Sequence, residues 1–225
     1  MKTSRLLSLN IPLFEGLSEQ DLAGQEIMVR DQSFAAWQTV FSGQDTSRDV
    51  YFVLSGALVA VYWTRDGREV VFSRLTEGAY LGELAALTDR PRTLSVVARG
   101  PSRVLILHQS SFTALIDGNS VLRWRILRDL AARIAALTDR CLELTTMSVE
   151  QRVHSYFLRY AMERGGLGSG QVLRDAPTHA EIAASIGATR EMVSRTLSRL
   201  TADGVIRSAR QRIEILDPER LVAGT

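Results

Sequence analysis

Residues 82–93, GELAALTDRPRT, place two opposite charges in an apolar setting. Charged side chains are rarely buried unpaired, so Glu83 and Arg92 are either surface residues or the polar groups of a pocket. If residues 82–86 form a short helix, its free N–H groups and Arg92 would hold an anion, and Gly82 would let a phosphate approach closely. Glu83 would then accept a hydrogen bond from a hydroxyl of the same ligand. A nucleotide with a cyclised phosphate offers an anion and a sugar hydroxyl this close together.

A second charged cluster lies in the C-terminal third of the chain. Residues 187–212 contain six arginines against Glu191 and Asp203, a local charge of +4, whereas the whole chain carries +2. A local positive excess is expected of a surface that meets a polyanion, although a solvated helix surface would show the same charges. The motif around the cluster therefore has to decide its role.

The surrounding pattern predicts a winged helix-turn-helix. A capping box of Thr178 and Glu181 opens one helix, Gly187 ends it, Thr189 caps the next, and the alternating segment VIRSARQRIEIL follows. Arginine matches the O6 and N7 edge of guanine, and glutamate can accept from cytosine N4. The predicted DNA contacts are Thr178, His179, Thr189, Arg190, Glu191, Ser194, Arg195 and Arg199.

The elements that must position the first motif are β-strands. From about Val50 to Leu107, short runs of β-branched and aromatic residues alternate at period two and are separated by turn signals such as Asp66-Gly67. This pattern predicts an antiparallel β-sandwich or roll. Ser18 is predicted to cap a short helix that precedes it.

The elements that must position the second motif begin with a long helix. About 28 residues from Ser120 lack glycine and proline, and apolar residues recur there at spacings of three and four. This seam predicts a coiled-coil dimer, with a helix packed on its own domain as the alternative. The seam residues are Leu127, Leu130, Ile134, Leu137, Cys141 and Leu144. A capping box at Ser148 and Gln151 predicts a new helix after a hinge.

Composition limits the class of protein. With 225 residues, 45% hydrophobic and 23% charged, the chain fits a soluble globular protein. No segment reaches the roughly 18 apolar residues of a membrane span, and the apolar run near the N-terminus is interrupted at Asn10 and Pro12, so we expect a cytoplasmic protein without a membrane partner. One cysteine, Cys141, excludes an internal disulfide and a cysteine-based zinc site, and we expect no metal.

These segments together resemble the catabolite activator protein and its relatives, the cyclic-nucleotide-binding branch of the bacterial regulators related to Fnr. The resemblance covers nearly the whole chain and is most specific in GEL followed by PRT. It implies an α+β fold with three parts: a cyclic-nucleotide-binding β-roll (1–116), a dimerisation helix (117–147) and a winged helix-turn-helix (148–225). The chain has neither the cysteines of the oxygen-sensing branch nor histidines placed for haem.

The resemblance also implies the ligand-binding residues. Gly82, Leu84, Arg92 and Thr93 would hold the phosphate, Glu83 the ribose 2′-hydroxyl, and Arg133 would pair with Glu83. The pocket walls would be Ala60, Ser73 and Leu75, with Leu137 and Thr138 near the base. Three positions depart from the cyclic-AMP-specific members: Ala60 stands for their valine, Leu137 for their base-reading threonine, and Ser194 for their glycine.

The predicted function is that of a homodimeric transcription regulator. 3′,5′-Cyclic AMP, cyclic GMP or both would act as the effector, and the partners would be double-stranded DNA with inverted, TGTGA-like half-sites and RNA polymerase. One alternative is the same fold without a functional effector, binding DNA constitutively. A second, an enzyme such as a phosphodiesterase, is disfavoured because no metal ligands or nucleophile–base constellation are evident.

Overall fold

The computed structural model describes residues 6–9, 11–65, 67, 69–174, 176–209 and 212–224. Asp66 of the predicted turn and Arg210 of the basic cluster lie outside these residues. The chain divides into two compact units, Met1–Ala132 and Arg133–Thr225. Each mixes helices with antiparallel sheet, as the α+β prediction requires.

The first unit contains two four-stranded antiparallel sheets. Their strands are β1 (Val29–Phe34), β2 (Thr39–Phe41), β3 (Val50–Ser55), β4 (Ala57–Trp63), β5 (Glu69–Thr76), β6 (Tyr80–Leu81), β7 (Ser95–Ala98) and β8 (Ser102–Leu107). One sheet has the order β1-β8-β3-β6 and the other β2-β7-β4-β5. The roll predicted for residues 50–107 is confirmed, and β1 and β2 extend it beyond the predicted segment.

Apolar side chains of the two sheets form the interior of this roll. Phe34, Val53, Leu58, Val96 and Val104 are buried in one cluster between them. A second cluster packs helix α2 (Gln109–Gly118) and the N-terminal segment onto the other side of the first sheet. The short helix predicted after Ser18 is a 3-10 turn, Gln20–Leu22, preceded by reciprocal bonds between Ser18 and Asp21.

The long helix α3 spans Ser120–Thr146, as predicted. Leu122 and Ile126 are buried in the core of the first unit. Farther along, Ile134 and Leu137 are 65% and 64% exposed. A helix that exposes large apolar residues at seam spacing has the surface that a coiled-coil partner would cover.

The second unit holds the remaining elements around one apolar core. They are α4 (Val149–Met162), β9 (Gln171–Arg174), α5 (His179–Ile186), α6 (Arg190–Ala202), β10 (Ile206–Ala209), β11 (Arg212–Ile215) and α7 (Pro218–Ala223). Both predicted capping boxes, at Ser148 and Thr178, are present. Gly187 ends α5 in the left-handed region at φ 64°. The predicted two-stranded wing is a three-stranded sheet, β10-β11-β9.

Candidate functional site

The cassette of residues 82–93 is built around a turn that only glycine fits. The short helix α1 (Glu83–Thr88) follows β6, as the sequence predicts, and Gly82 caps it at φ 90°. A Cβ atom at Gly82 would lie 2.5 Å from Arg92 Nη1 and 2.8 Å from the Asp49 carbonyl oxygen. Any side chain here would therefore displace both the backbone of Asp49 and the guanidinium.

Arg92 lies beneath this turn with 2% of its surface exposed. Its Nη1 donates to the Gly82 carbonyl at 3.0 Å, its Nη2 to the Asp49 carbonyl at 2.7 Å, and its Nε to Ser47 Oγ at 3.3 Å. The guanidinium carbon also lies 4.4 Å from the centre of the Phe41 ring. Two of its five N–H groups have no acceptor among the described residues.

The electrostatic state of Arg92 follows from this burial. Removal from water lowers the pKa of the guanidinium, and interactions with Tyr51, Asp45, Asp49 and Glu83 oppose that shift. Arginine nevertheless stays protonated in proteins. The fold therefore keeps a buried cation whose hydrogen-bond partners are mainly neutral carbonyls, a setting that an anion would stabilise.

The other cassette residues divide between buried and exposed. Glu83 is 4% exposed, so its carboxylate is a buried polar group as predicted. Leu84 is 50% exposed, which leaves its backbone as the part suited to the predicted phosphate contact. Thr93 is exposed beside Arg92. These positions suit the predicted roles without testing them.

The predicted wall residues lie on β4 and β5, in the same sheet as β2, which carries Phe41. Ala60 on β4 pairs with Ser73 on β5, and Ala60 is buried while Ser73 is exposed. Leu75 is half-buried and packs against the buried cluster that contains Ala60, Phe41 and Tyr51. Because Arg92 stacks on Phe41 and Tyr51, the buried cation, Ala60 and Leu75 border the same apolar cluster, whereas Ser73 is exposed.

Three predicted ligand residues, Arg133, Leu137 and Thr138, lie on α3 in the second unit. Arg133 is half-buried and Leu137 is exposed. Thr138 Oγ1 donates to the Ile134 carbonyl at 2.9 Å, so the hydroxyl proton is already used. Their part in the ligand site remains a prediction.

The predicted DNA contacts lie on and around α6. Val193, Leu197 and Leu200 point into the core, whereas Arg190, Glu191 and Arg195 are exposed. Thr189 Oγ1 accepts from Met192 N at 3.3 Å, and exposed Thr178 Oγ1 accepts from Glu181 N at 3.2 Å. Both threonines therefore serve first as helix caps.

Glu191 is held in its ionised form. Hydrogen bonds from its own backbone N–H and from the Thr189 side chain lower the pKa of its carboxyl group. An ionised carboxylate can only accept hydrogen bonds. The cytosine N4 amino group is a donor, so a side chain that recognises it must be an acceptor.

Not every arginine of the basic cluster is free for DNA. Arg199 forms an ion pair with Glu150, and Arg207 on β10 pairs with Glu214 on β11 at 3.0 Å. Within the described part of the chain, no ion pair involves Arg190 or Arg195. The predicted contact at Arg199 is therefore made by a side chain that already has an acidic partner.

The residues that hold Arg92 were not predicted from the sequence. Ser47, Asp49 and the Phe41 ring come from 43 to 51 residues earlier in the chain. Asp49 and Ser47 act through a backbone carbonyl and a hydroxyl, and such roles leave no signature in spacing. Two of the histidines make structural contacts: Nδ1 of buried His154 lies 2.9 Å from the Leu221 carbonyl oxygen, and exposed His108 caps α2.

Comparison with known proteins agrees with this geometry. Residues 31–119 match the cyclic nucleotide-binding domain, and residues 151–223 match the Crp-like helix-turn-helix domain. Over 211 residues the chain is 27% identical to the CRP-like cAMP-activated global transcriptional regulator of Mycobacterium tuberculosis, covering 93% of this chain and 94% of that protein. Over 205 residues it is 28% identical to the cyclic AMP receptor protein of Thermus thermophilus, covering 91% and 92%.

A solved structure shares the fold at low sequence identity. A mutant of CooA from Carboxydothermus hydrogenoformans superposes with a TM-score of 0.75 at 17% identity, covering 87% of each chain. The β-roll with its cassette and the helix-turn-helix define a DNA-binding transcription regulator with a cyclic nucleotide-binding domain. The chain belongs to the Crp/Fnr family of bacterial transcription regulators.

Within the described residues, no helix combines the length and apolar character that crossing a bilayer would require.

Proposed function

We propose that this protein is a homodimeric regulator whose affinity for DNA is controlled by a 3′,5′-cyclic nucleotide in the β-roll. The nucleotide would act through different affinities for two arrangements of the DNA-binding domains, which is the only way a ligand can shift such an equilibrium. RNA polymerase is the expected further partner.

The observation that carries this proposal is the buried charge of the cassette. Arg92 and Glu83 are 2% and 4% exposed, and Gly82 brings the backbone too close for any side chain. Burying a cation among carbonyls is unfavourable unless an anion completes the site. The three hydrogen bonds of Arg92 satisfy neighbouring acceptors but supply no counter-charge, and an anionic effector would supply it.

The assignment of roles follows the chemistry of each residue. The two N–H groups of Arg92 that have no acceptor among the described residues would donate to the cyclic phosphate, together with backbone N–H groups at the start of α1. Glu83 would accept from the ribose 2′-hydroxyl. Ala60, Ser73 and Leu75 would form the wall, and Arg133, Leu137 and Thr138 would connect the ligand to α3.

At the 6-position of the purine, where adenine has an amino group and guanine a carbonyl, the predicted base contact at Thr138 would favour adenine. The Thr138 hydroxyl donates to the Ile134 carbonyl at 2.9 Å, so it would offer a ligand only its lone pairs. The amino group of adenine can donate to them, whereas the carbonyl of guanine cannot. We therefore favour cyclic AMP as the effector, with cyclic GMP as a weaker ligand.

Dimerisation supports the DNA half of the proposal. Exposed Leu127, Ile134, Leu137 and Leu144 on α3 would pair with the same residues of a second copy. Two recognition helices would then read inverted half-sites about one helical turn apart, with TGTGA-like sequence as the first candidate.

Two titrations on the full chain test the proposal. Calorimetry with cyclic AMP measures binding to the roll, and titration of an inverted-repeat DNA with and without cyclic AMP at fixed salt measures the coupling. We expect cyclic AMP to bind and to raise DNA affinity. DNA affinity that stays the same at saturating cyclic AMP would favour constitutive binding by the same fold. We also expect cyclic AMP to remain unchanged after long incubation with the protein. Slow hydrolysis of cyclic AMP would instead favour the phosphodiesterase alternative.

A further inference from the structure

One hydrogen bond between two of the predicted DNA contacts links the two helices of the helix-turn-helix. His179 in the first turn of α5 lies with its ring nitrogen Nδ1 2.7 Å from Ser194 Oγ on α6. Fifteen residues separate the two along the chain, and both side chains are half-buried. Neither residue belongs to the predicted effector site or to the predicted dimer seam.

The position of His179 follows from helical spacing. Ile182 and Ile186, three and seven residues further on, are buried against the core that α5 shares with α6. His179 therefore begins the row of α5 side chains that faces α6, rather than a row directed only at solvent. Its neighbour Thr178 is engaged in the capping box with Glu181.

Ser194 lies at the border of the exposed face of α6. It follows Arg190 by four residues and precedes Ser198 by four, and both of those are exposed. Val193 and Leu197 on its other side are buried. The hydroxyl can therefore touch His179 and still lie beside the side chains directed at DNA.

The contact limits what the hydroxyl can offer to a base. A serine hydroxyl has one proton and two lone pairs, and it rotates freely unless a partner fixes it. If the ring nitrogen accepts the proton, only lone pairs remain for a base edge. If the ring nitrogen donates, one lone pair is occupied and the hydroxyl proton is directed away from the ring. In both cases the imidazole decides the direction and polarity of the remaining hydrogen bond.

We propose that His179 is a positioning residue for base recognition: it fixes the Ser194 hydroxyl and so sets the base selectivity of the half-site position that Ser194 reads. His179 acts here through Ser194 rather than through a base of its own. The proposal rests on the proposed DNA-binding function and adds a specificity determinant that lies outside the recognition helix.

The test measures discrimination rather than affinity alone. The full chain with saturating cyclic AMP is titrated, at fixed salt, against inverted-repeat DNAs in which each half-site position carries all four bases in turn. The proteins are the parent, Ser194→Ala, His179→Ala, the double variant and His179→Asn, whose side-chain amide can replace the ring nitrogen. Thermal melting checks that each variant is folded.

The expected pattern is specific to one position. Ser194→Ala should lose a discrimination of about 2- to 12-fold at a single half-site position, the value of one hydrogen bond. His179→Ala should lose discrimination at that same position and keep it elsewhere, and the double variant should lose no more than Ser194→Ala. His179→Asn should restore part of the selectivity.

Other patterns overturn the proposal. Equal weakening by His179→Ala on every DNA would make His179 a phosphate contact, and additive losses in the double variant would show that the two residues act separately. No change in selectivity on Ser194→Ala would show that Ser194 reads no base. A parent that binds all the DNAs alike would overturn this inference and the proposed DNA recognition together.

Discussion

The cassette and the helix α6 both use arginine as their principal cation, but the cassette arginine is buried and the α6 arginines are exposed. In the cassette, Arg92 is 2% exposed, and its three nitrogens donate to two backbone carbonyls and a hydroxyl. On α6, Arg190 and Arg195 are exposed. The first cation is fixed in place by the fold, whereas the second pair is exposed to solvent in the free chain.

This difference predicts how each region responds to change. A buried cation is placed by many atoms at once, so its loss removes binding altogether and leaves carbonyls without donors. Exposed cations contribute a graded amount that salt screens. A single substitution of Arg92 should thus abolish nucleotide binding. A single substitution on α6 should instead reduce DNA affinity by a limited amount.

The sharpest test of the contrast is Arg92→Ala. Removing the buried partner of an anion typically costs about 2 to 5 kcal/mol or more, which would make cyclic AMP binding undetectable by calorimetry. Arg90→Ala is the matched control, because Arg90 is exposed two residues earlier and should bind cyclic AMP like the parent. If Arg92→Ala bound as tightly as Arg90→Ala, the pocket assignment would be wrong.

Ile134→Asp tests the seam of α3, a surface that is exposed in a single chain and would be buried in a dimer. Ile134 is 65% exposed and lies mid-seam, so the substitution would bury one charge from each partner. We expect monomers in light scattering and loss of binding to inverted-repeat DNA. Leu142→Asp is the control, since Leu142 is 54% exposed but off the seam. A dimer that survives Ile134→Asp would contradict the coiled-coil interpretation.

The single cysteine, Cys141, provides an independent test of the same seam. In a parallel, in-register pair, Cys141 of each copy would face its counterpart, and a disulfide requires Cβ atoms about 3.5 to 4.5 Å apart. Mild oxidation should therefore give a covalent dimer that Cys141→Ser cannot form. A parent that remains monomeric in denaturing gels under conditions that oxidise free thiols would argue against that register.

Arg195→Ala tests the graded half of the comparison. If Arg195 reads a guanine, its loss should cost about 1 to 3 kcal/mol at one base pair and leave discrimination elsewhere intact. Arg199→Ala should have a smaller effect, because Arg199 already pairs with Glu150. DNA titrations against single-position variants measure both. Equal weakening by Arg195→Ala on all sequences would make Arg195 a phosphate contact.

Sequence reasoning succeeded where spacing or capping dictates the structure. The boxes at Ser148 and Thr178, the glycine that ends α5 and the length of α3 are all local features with local causes. The polarity of α6 also follows from a period of 3.6 residues. In the cassette, the motif predicted either surface charges or a polar pocket, and the structure shows the second alternative, with Glu83 and Arg92 buried.

What sequence reasoning could not reach depends on contacts between distant segments. The carbonyl of Asp49 and the ring of Phe41 meet Arg92 only because sheet pairing brings them there. Likewise, nothing in the spacing of His179 and Ser194 indicated that they form a hydrogen bond with each other. Strand β9 was missed because it lies far along the chain from the wing that it joins.

The smallest expected effect is the difference in affinity between nucleotides with different bases. It tests whether the pocket around Arg92 distinguishes adenine from guanine. Phosphate and ribose contacts are common to cyclic AMP and cyclic GMP, so we expect both to bind. An apolar wall such as Leu137 discriminates by only about 10- to 200-fold, and the lone pairs of Thr138 add a preference for the adenine amino group. Calorimetry should therefore give tighter binding for cyclic AMP, within roughly a hundredfold of cyclic GMP.

Thr138→Val is the variant that isolates the hydroxyl, because it keeps the shape of the side chain and removes the oxygen. It should bring the two affinities closer together by weakening cyclic AMP more than cyclic GMP. DNA titration with each nucleotide then shows whether the weaker ligand also shifts the DNA-binding equilibrium, since binding alone need not do so. Cyclic GMP binding too weak to detect beside tight cyclic AMP binding would contradict the permissive pocket and leave Leu137 as a dimer-packing residue only.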